Sequence, residues 1–264
     1  MRKRVLVEGL IFYIHVTIRP MMQLVKLGGS VITVKSRYRY FLQQTTRKIV
    51  HELKKIDDEI ILVHGGGSFG HIKASEYQLS GSPASSSRSG ISIVHRDMME
   101  LDQRIIGVML SESMPGIGMA PSSFPDPFIP PFELIESYMK AGLFPVTFGD
   151  VYIRNGNSGI VSGDDLMLAL ALHFKPTRVM FLSDVDGIFD RNPKTHPDAE
   201  LRKEVKGNEA FELNREDVTG GMGKKLGIMK KIAETGTTVY LLNGRHPERI
   251  WNMGTRDFIG TVIH

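Results

Sequence analysis

The chain has 264 residues, enough for one large α/β domain or two small ones, with ordinary hydrophobic (41%) and charged (23%) fractions for a soluble globular protein. It has no cysteine, which excludes a disulfide framework, a thiolate nucleophile and a cysteine-ligated metal. The formal charge of +4 comes mostly from the first twenty residues, where four basic side chains face one glutamate, and no basic stripe interleaved with aromatic residues follows, so we expect no nucleic-acid partner.

The chain begins with an extension, residues 1–21, in which basic residues precede an apolar run, as they do in a signal peptide. Glu8, His15 and Thr17 interrupt that run, and no small-residue cleavage site follows it. The run is also too short and too polar to span a membrane. We therefore expect a dispensable extension and no membrane partner. The alternative is an added edge strand or arm. The absence of cysteine fits the cytoplasmic location that we expect for this protein.

Beyond the extension, strands and helices alternate. Continuous apolar runs are typical of strands buried on both faces of a sheet, and apolar residues three or four apart are typical of helices. The predicted strands occupy residues 22–27, 59–63, 237–244 and 257–263. Residues 143–153 are predicted to form a strand, a turn and a second strand, and residues 178–190 a strand that runs into a loop. The predicted helices occupy residues 38–56, 91–110, 131–142, 163–174, 223–236 and 247–254. Residues 81–90 are predicted to form a flexible loop, and residues 115–131 extended arms or a hairpin.

This alternation predicts an α/β fold with an open, mainly parallel sheet, and we place an internal boundary near residue 175. In such sheets, ligands bind beyond the carboxyl ends of the strands. The glycine-rich segments in the sequence follow predicted strands or begin predicted helices. They are therefore the candidates for the binding site.

Four glycine segments meet this description. They are KLGGS (26–30), HGGGSFGH (64–71), SGDD (162–165) and DVTGGMGKK (217–225). Glycine lets backbone N–H groups approach an anion at a helix N-terminus. Lys224 and Lys225 lie in the first turn of a predicted helix, where a positive charge interacts unfavourably with the helix dipole. This unfavourable placement suggests that the lysines bind an anion. Simple capping explains Asp164 and Asp165 equally well. The acids of SDVDGIFD (183–190) could bind metal, hold a ribose or form turns.

The second glycine segment nearly satisfies two phosphate-loop signatures. Gly65, Gly67 and Gly70 fit the dinucleotide fingerprint, but no acidic residue lies about 20 positions on in a suitable place, because Asp97 is inside a predicted helix. A P-loop requires lysine where His71 stands. The segment therefore favours neither an NAD-binding dehydrogenase nor a Walker-type NTPase.

Several anion-binding segments in one chain indicate more than one phosphate site. An enzyme that uses a nucleoside triphosphate needs one phosphate site for the nucleotide. A second phosphate site suggests that the acceptor is itself anionic. Phosphoryl transfer depends on positioning and charge neutralisation more than on covalent chemistry. An acceptor phosphate is already deprotonated at neutral pH and needs no general base. A histidine would then serve as a hydrogen-bond donor or a cation to that phosphate.

These motifs, in this order from Met22 to His264, resemble the amino acid kinase superfamily. Within it, GGGSFGH is most similar to the isopentenyl phosphate kinases. The resemblance implies a three-layer αβα sandwich, with an acceptor-binding part at about 22–175 and a nucleotide-binding part at about 176–264. It also implies ATP as donor, Mg²⁺ carried by the nucleotide with no protein ligand for the metal, isopentenyl phosphate as acceptor, and a homodimer.

The resemblance further implies roles for individual residues. Those expected to be catalytic are Lys26, His71, Asp164 and Lys225, with Asp164 holding the two lysines and His71 binding the acceptor phosphate. Those expected near the nucleotide are Gly28, Gly29, Ser30, Lys35, Gly66, Asp184 and Gly220. Those expected near the acceptor are Gly65, Gly70, His71 and Gly163, with Ile91, Val94 and Met98 against its tail. Val151 or Val161 is a further candidate for the tail. Each of these apolar residues is equally well explained as core.

Alternatives remain within the superfamily and outside it. A fosfomycin kinase can share the loop histidine, although the apolar residues favour a prenyl tail. A uridylate kinase should show arginines near the second loop, and none occurs between Gly65 and Arg88. A non-catalytic nucleotide sensor would not need Lys26, Asp164 and Lys225.

Overall fold

The structure is a computed structural model that describes residues 2–7, 10–15, 21–191, 193, 195–206 and 222–264. The strands are β1 (Arg2–Val7), β2 (Leu10–His15), β3 (Met22–Leu27), β4 (Glu59–His64), β5 (Gly116–Met119), β6 (Phe144–Phe148), β7 (Asp150–Arg154), β8 (Asn157–Val161), β9 (Arg178–Ser183), β10 (Ile188–Phe189), β11 (Leu201–Arg202), β12 (Glu204–Val205), β13 (Thr238–Asn243) and β14 (Thr261–Ile263). The α-helices are α1 (Gly29–Ile32), α2 (Gln43–Leu53), α3 (Gly67–Glu76), α4 (Arg88–Ser111), α5 (Phe132–Lys140), α6 (Gly163–Phe174) and α7 (Met222–Ala233). Short 3₁₀ helices occupy Ala84–Ser86, Pro121–Ser123 and Pro247–Asn252.

Eight strands form the central sheet in the order β12-β14-β13-β9-β3-β4-β6-β5. The six from β13 to β5 run parallel, and β14 is antiparallel to β13. The inner strands β3, β4 and β9 are buried at every residue but the first, as expected of strands covered on both faces. The mainly parallel sheet predicted from the alternation of elements is therefore confirmed.

Each face of the sheet is covered by helices with a hydrophobic core between the layers. One core contains residues of α2, α3 and α4, including Ile49, Phe69 and Leu101. The other contains residues of α5, α6 and α7, including Leu166 and Met229. The molecule is thus the three-layer αβα sandwich that the family resemblance implies.

Three local predictions differ from the structure. The helix predicted from residue 38 begins only at Gln43. Tyr38 donates a hydrogen bond to Asp97, Arg39 forms an ion pair with the same carboxylate, and Arg39 adopts a φ of 56° that does not fit a right-handed helix. Helix α3, which includes most of the second glycine segment, is not among the predicted helices. Residues 116–119, predicted as an arm, are the edge strand of the main sheet.

At the N-terminus, β1 and β2 pair with each other in an antiparallel hairpin. They take no place in the order of the eight-stranded sheet. The described residues of the extension are therefore not an added edge strand of that sheet, whereas a separate hairpin is compatible with the arm that the same alternative named. Within the described ranges, none of the helices has both the length and the apolar composition that a membrane span requires.

Candidate active site

A buried ion pair lies at the carboxyl edge of the sheet. Lys26 is the penultimate residue of β3, and its ammonium group bonds the carboxylate of Asp164 in the first turn of α6. The Lys26 side chain is only 6% exposed. Burial lowers the pKa of Lys26 to about 8; the Asp164 carboxylate opposes this shift, and the positive charge of Lys225 adds to it. The structure therefore places three of the four predicted catalytic residues, Lys26, Asp164 and Lys225, close enough to influence one another electrostatically.

The first turn of α6 is fixed by a capping box. The Ser162 hydroxyl accepts a hydrogen bond from the Asp165 N–H at 3.2 Å, and the Asp165 carboxylate accepts one from the Ser162 N–H at 3.1 Å. Asp165 also forms an ion pair with the exposed Lys224 at 3.2 Å. The two adjacent aspartates therefore have different partners, since Asp164 holds Lys26 and Asp165 holds Lys224. Ser162 was not among the predicted site residues, although a serine three positions before an acid is a recognisable capping signal.

The first two glycine segments lie in direct contact. They follow β3 and β4, which pair in parallel with Leu27 opposite His64. A Cβ at Gly29 would lie 2.3 Å from the amide nitrogen of Gly67, and Gly67 has a φ of 48°, which favours glycine. Close approach of the two backbones therefore explains glycine at these positions.

Two of the predicted phosphate-binding glycines already use their amides. The Gly28 N–H donates to the carbonyl of Leu182 at 2.8 Å, and the Gly65 N–H donates to that of Leu27 at 2.9 Å. Each N–H thus continues the hydrogen bonding of the sheet. Gly29 and Ser30 begin α1, Gly66 is the N-cap residue of α3, and Gly67 is the first residue of α3. N–H groups at a helix start have no acceptor within the helix. These four amides are better placed for phosphate oxygens than those of Gly28 and Gly65.

On the nucleotide side, Asp184 follows β9 and accepts a hydrogen bond from the Ser30 hydroxyl at 2.7 Å. The exposed ammonium group of Lys35 lies 3.7 Å from the same carboxylate. The structure thus brings together Ser30, Lys35 and Asp184, as the predicted nucleotide site requires. Nearby, Asp186 binds Asn243 at 3.0 Å and Arg249 at 2.6 Å. The sequence showed no local signal for these two partners, which come from β13 and the last 3₁₀ helix.

His71 lies in the second turn of α3, and its side chain is exposed. Neighbouring protein atoms displace part of the water around the ring, and this desolvation lowers the pKa of His71 below the ordinary histidine value. The positive charges of Lys26 and Lys35 lower the pKa further, while the Asp164 carboxylate opposes the shift. The imidazole therefore lies within electrostatic reach of the buried ion pair. A lowered pKa also means that the neutral ring, with one N–H to donate, predominates at neutral pH.

The apolar candidates for the acceptor tail are mostly part of the core. Val94 and Met98 are 3% and 1% exposed, and the Met98 sulfur packs directly against Gly66 and Gly70. Ile91 is half-buried against the same cluster. Val161 belongs to the core on the opposite face of the sheet, which separates it from Ile91. Of these residues, Ile91 is the one with surface left for a ligand.

Two further predictions concern the last glycine segment and metal ions. Gly220 lies outside the described residues, whereas Lys225 is half-buried and close enough to influence Lys26. In the described part of the chain, no group of three or more histidine, aspartate or glutamate side chains is arranged to hold a metal ion. Asp184 and Asp186 are instead engaged by the hydroxyl, amide and cationic groups above.

Comparison with known proteins gives consistent matches. The model of the amino acid kinase family matches residues 21–243. The isopentenyl phosphate kinase of Thermoplasma acidophilum is 46% identical over 249 residues, which cover 92% of this chain and all of that enzyme. The enzyme of the same name from Methanothermobacter thermautotrophicus is 32% identical, covering 87% of this chain and 93% of the relative.

Solved structures agree with these matches. A product complex of T. acidophilum isopentenyl phosphate kinase aligns with a TM-score of 0.84 and 43% identity, over 92% of this chain and all of that one. A UMP kinase from Bacillus anthracis aligns with a TM-score of 0.65 at 18% identity, over 93% of this chain and 97% of that one, and so shares the fold.

Proposed function

This chain belongs to the amino acid kinase family, and on that premise we propose that it transfers the γ-phosphoryl group of ATP to isopentenyl phosphate, forming isopentenyl diphosphate and ADP. The observation that carries the proposal is the contact between two glycine-rich helix starts beside the buried pair of Lys26 and Asp164. Two such starts provide for two phosphate groups, one on each side of the contact. The similarity to isopentenyl phosphate kinases over 92% of this chain supports the choice of acceptor.

In the reaction, an oxygen of the acceptor phosphate forms the new bond to the γ-phosphorus, and the bond from that phosphorus to the oxygen bridging to the β-phosphate breaks. The acceptor oxygen is deprotonated at neutral pH, so no side chain has to remove a proton. Lys26 and Lys225 neutralise the charge on the transferring group, and Asp164 holds Lys26 in place. Mg²⁺, which we expect to arrive with the nucleotide, would neutralise further phosphate charge.

His71 binds the acceptor phosphate in this proposal. Its exposed imidazole stands in the second turn of α3, the helix whose first residues form the acceptor loop. An arriving phosphate adds negative charge beside the ring, which raises the pKa of His71 and favours its cationic form. The residue therefore donates a hydrogen bond to the acceptor and can also gain a positive charge when the acceptor binds.

Oligomeric state and cellular location remain proposals. We propose a homodimer, which rests on the family resemblance, and a cytoplasmic location, which rests on the absence of cysteine from the sequence. Sedimentation of the purified chain tests the first, and a mass of one chain of 29.5 kDa would contradict it.

A panel of acceptors tests the proposed function. The purified protein is incubated with ATP, Mg²⁺ and, separately, isopentenyl phosphate, fosfomycin, uridylate and acetylglutamate, and ADP release is followed together with the phosphorylated product. We expect turnover of isopentenyl phosphate with a kcat/KM at least about 100-fold above that of any other acceptor in the panel. An acceptor that does not match the polar or apolar contacts of a site usually loses about that factor in kcat/KM. Turnover of fosfomycin alone would replace the proposal with its nearest rival.

Removal of residues 1–21 is expected to leave kcat and both KM values within about twofold of the full chain, because uninvolved surface segments usually contribute little. Neither β1 nor β2 joins the sheet that carries the site. Steady-state kinetics of the chain starting at Met22 checks this. A loss of more than tenfold would instead assign the hairpin a part in the site.

A further inference from the structure

Thr33 connects the two glycine loops. It follows α1, and its hydroxyl donates a hydrogen bond to the Gly29 carbonyl at 2.7 Å. The same oxygen accepts a hydrogen bond from the N–H of Ser68 at 3.0 Å. Gly29 belongs to the loop assigned to the nucleotide, and Ser68 to the helix start assigned to the acceptor. One side chain therefore bonds both loops at once.

This connection is enclosed. Thr33 is 1% exposed and Ser68 is also 1% exposed, so water does not compete for either bond. The Thr33 backbone N–H donates to the same Gly29 carbonyl at 3.0 Å, which fixes Thr33 to the first loop by two bonds. A Cβ on Gly67 would lie 2.0 Å from the Thr33 oxygen, so the hydroxyl fits directly against the backbone of the second loop.

The hydroxyl also takes the place of a helix cap. The N-cap residue of α3 is Gly66, which has no side chain to bond the first N–H groups of the helix. Thr33 supplies the missing acceptor from 35 residues away. A hydroxyl can donate one hydrogen bond and accept another, and both directions are used here. No apolar side chain of similar size can replace that pair of bonds.

We propose that Thr33 is a positioning residue for phosphoryl transfer, setting the separation of the two loops and hence of the donor and acceptor phosphates. This inference rests on the proposed function of the two loops. Each loop keeps its own amides for its own phosphate, so the spacing governs the transfer step more than the binding of either substrate. An error of about 1 Å in the relative position of reacting groups can lower a rate about 100-fold.

Three variants of Thr33 test the role. Thr33→Val removes the hydroxyl and places a methyl group 3.0 Å from the Ser68 nitrogen, too close for a carbon atom, so the loops must separate. Thr33→Ala removes the hydroxyl without adding bulk between the loops. Thr33→Ser keeps both hydrogen bonds. The matched control is Thr46→Val, which removes another fully buried hydroxyl whose bond, to the Leu42 carbonyl, lies at the start of α2.

The measurements are kcat, the KM for each substrate and the melting temperature. For Thr33→Val and Thr33→Ala we expect kcat to fall about 10- to 100-fold while both KM values stay within about threefold. Thr33→Ser should retain at least about half of the wild-type kcat, and Thr46→Val should lower the melting temperature without lowering kcat. An unchanged kcat in either Thr33→Val or Thr33→Ala would overturn the proposal, as would an equal loss in Thr33→Ser.

The wild-type protein separates this proposal from the proposed function. If it does not phosphorylate isopentenyl phosphate but uses another acceptor of the panel, the function assigned above fails, and the Thr33 variants are measured with that acceptor. If the wild-type protein phosphorylates isopentenyl phosphate and the variants retain its kcat, the function stands and the role of Thr33 fails.

Discussion

Replacing Lys26 with methionine is expected to lower kcat about 100- to 1000-fold, which is the usual cost of removing one donor that stabilises charge in a transition state. Lys26 is buried and paired with Asp164, so its ammonium group is fixed before substrate arrives. Because its role is to stabilise the transferring group, the KM for isopentenyl phosphate should change much less than kcat. Steady-state kinetics with both substrates varied checks this expectation.

The control for Lys26→Met is Lys48→Met, which removes an exposed lysine of α2. It should leave kcat unchanged. The melting temperature of each variant shows whether the loss of activity reflects unfolding, since Lys26→Met leaves the Asp164 carboxylate without its partner in a largely buried position. A folded Lys26→Met protein with more than about a third of the wild-type kcat would contradict the role of Lys26 in transfer.

The lowered pKa of Lys26 predicts a pH dependence. A lysine is cationic below its pKa and neutral above it, so the free protein loses this charge as pH rises through about 8. The kcat/KM for ATP should therefore decline above pH 8, because this parameter reports groups of the free protein. Lys26→Met should lack this decline, whereas a profile equal to that of the wild type would assign the titration to another group.

Replacing His71 with alanine is expected to lower the kcat/KM for isopentenyl phosphate about 10- to 100-fold, the range of one hydrogen bond to a charged group. The ring is exposed beside the acceptor loop, and the positive charges of Lys26 and Lys35 contribute to its lowered pKa. The KM for ATP should stay within about twofold, since the ring contacts only the acceptor in this account. His51→Ala, which removes an exposed histidine of α2, is the matched control.

The sheet and its layers were predictable because burial on both faces leaves long apolar runs in the sequence. The position of the site was also predictable, since the carboxyl ends of parallel strands converge. Lys26 and Asp164 are 138 residues apart, and no local pattern joins them. Their pairing was expected from the resemblance to a family, and the structure shows the physical reason, which is that β3 and α6 both place a residue at that edge.

Details that depend on long-range contacts were not predictable. Residues 38–42 have a helical pattern, but the hydrogen bond of Tyr38 and the ion pair of Arg39 to buried Asp97 keep this segment out of the helix. The number of glycines suggested free amides throughout, yet those of Gly28 and Gly65 are used by neighbouring strands. Thr33 is an unremarkable residue in the sequence because its partner Ser68 lies 35 positions away.

In the proposed mechanism, the loop ending in His71 holds the acceptor while the loop of Gly29 and Ser30 holds the nucleotide. Calorimetric titration of His71→Ala with isopentenyl phosphate and, separately, with a non-hydrolysable ATP analogue tests it most directly. We expect the affinity for isopentenyl phosphate to fall at least about tenfold and the affinity for the analogue to remain within about twofold of the wild type. A variant that loses the analogue and retains isopentenyl phosphate would contradict the assignment of the two loops.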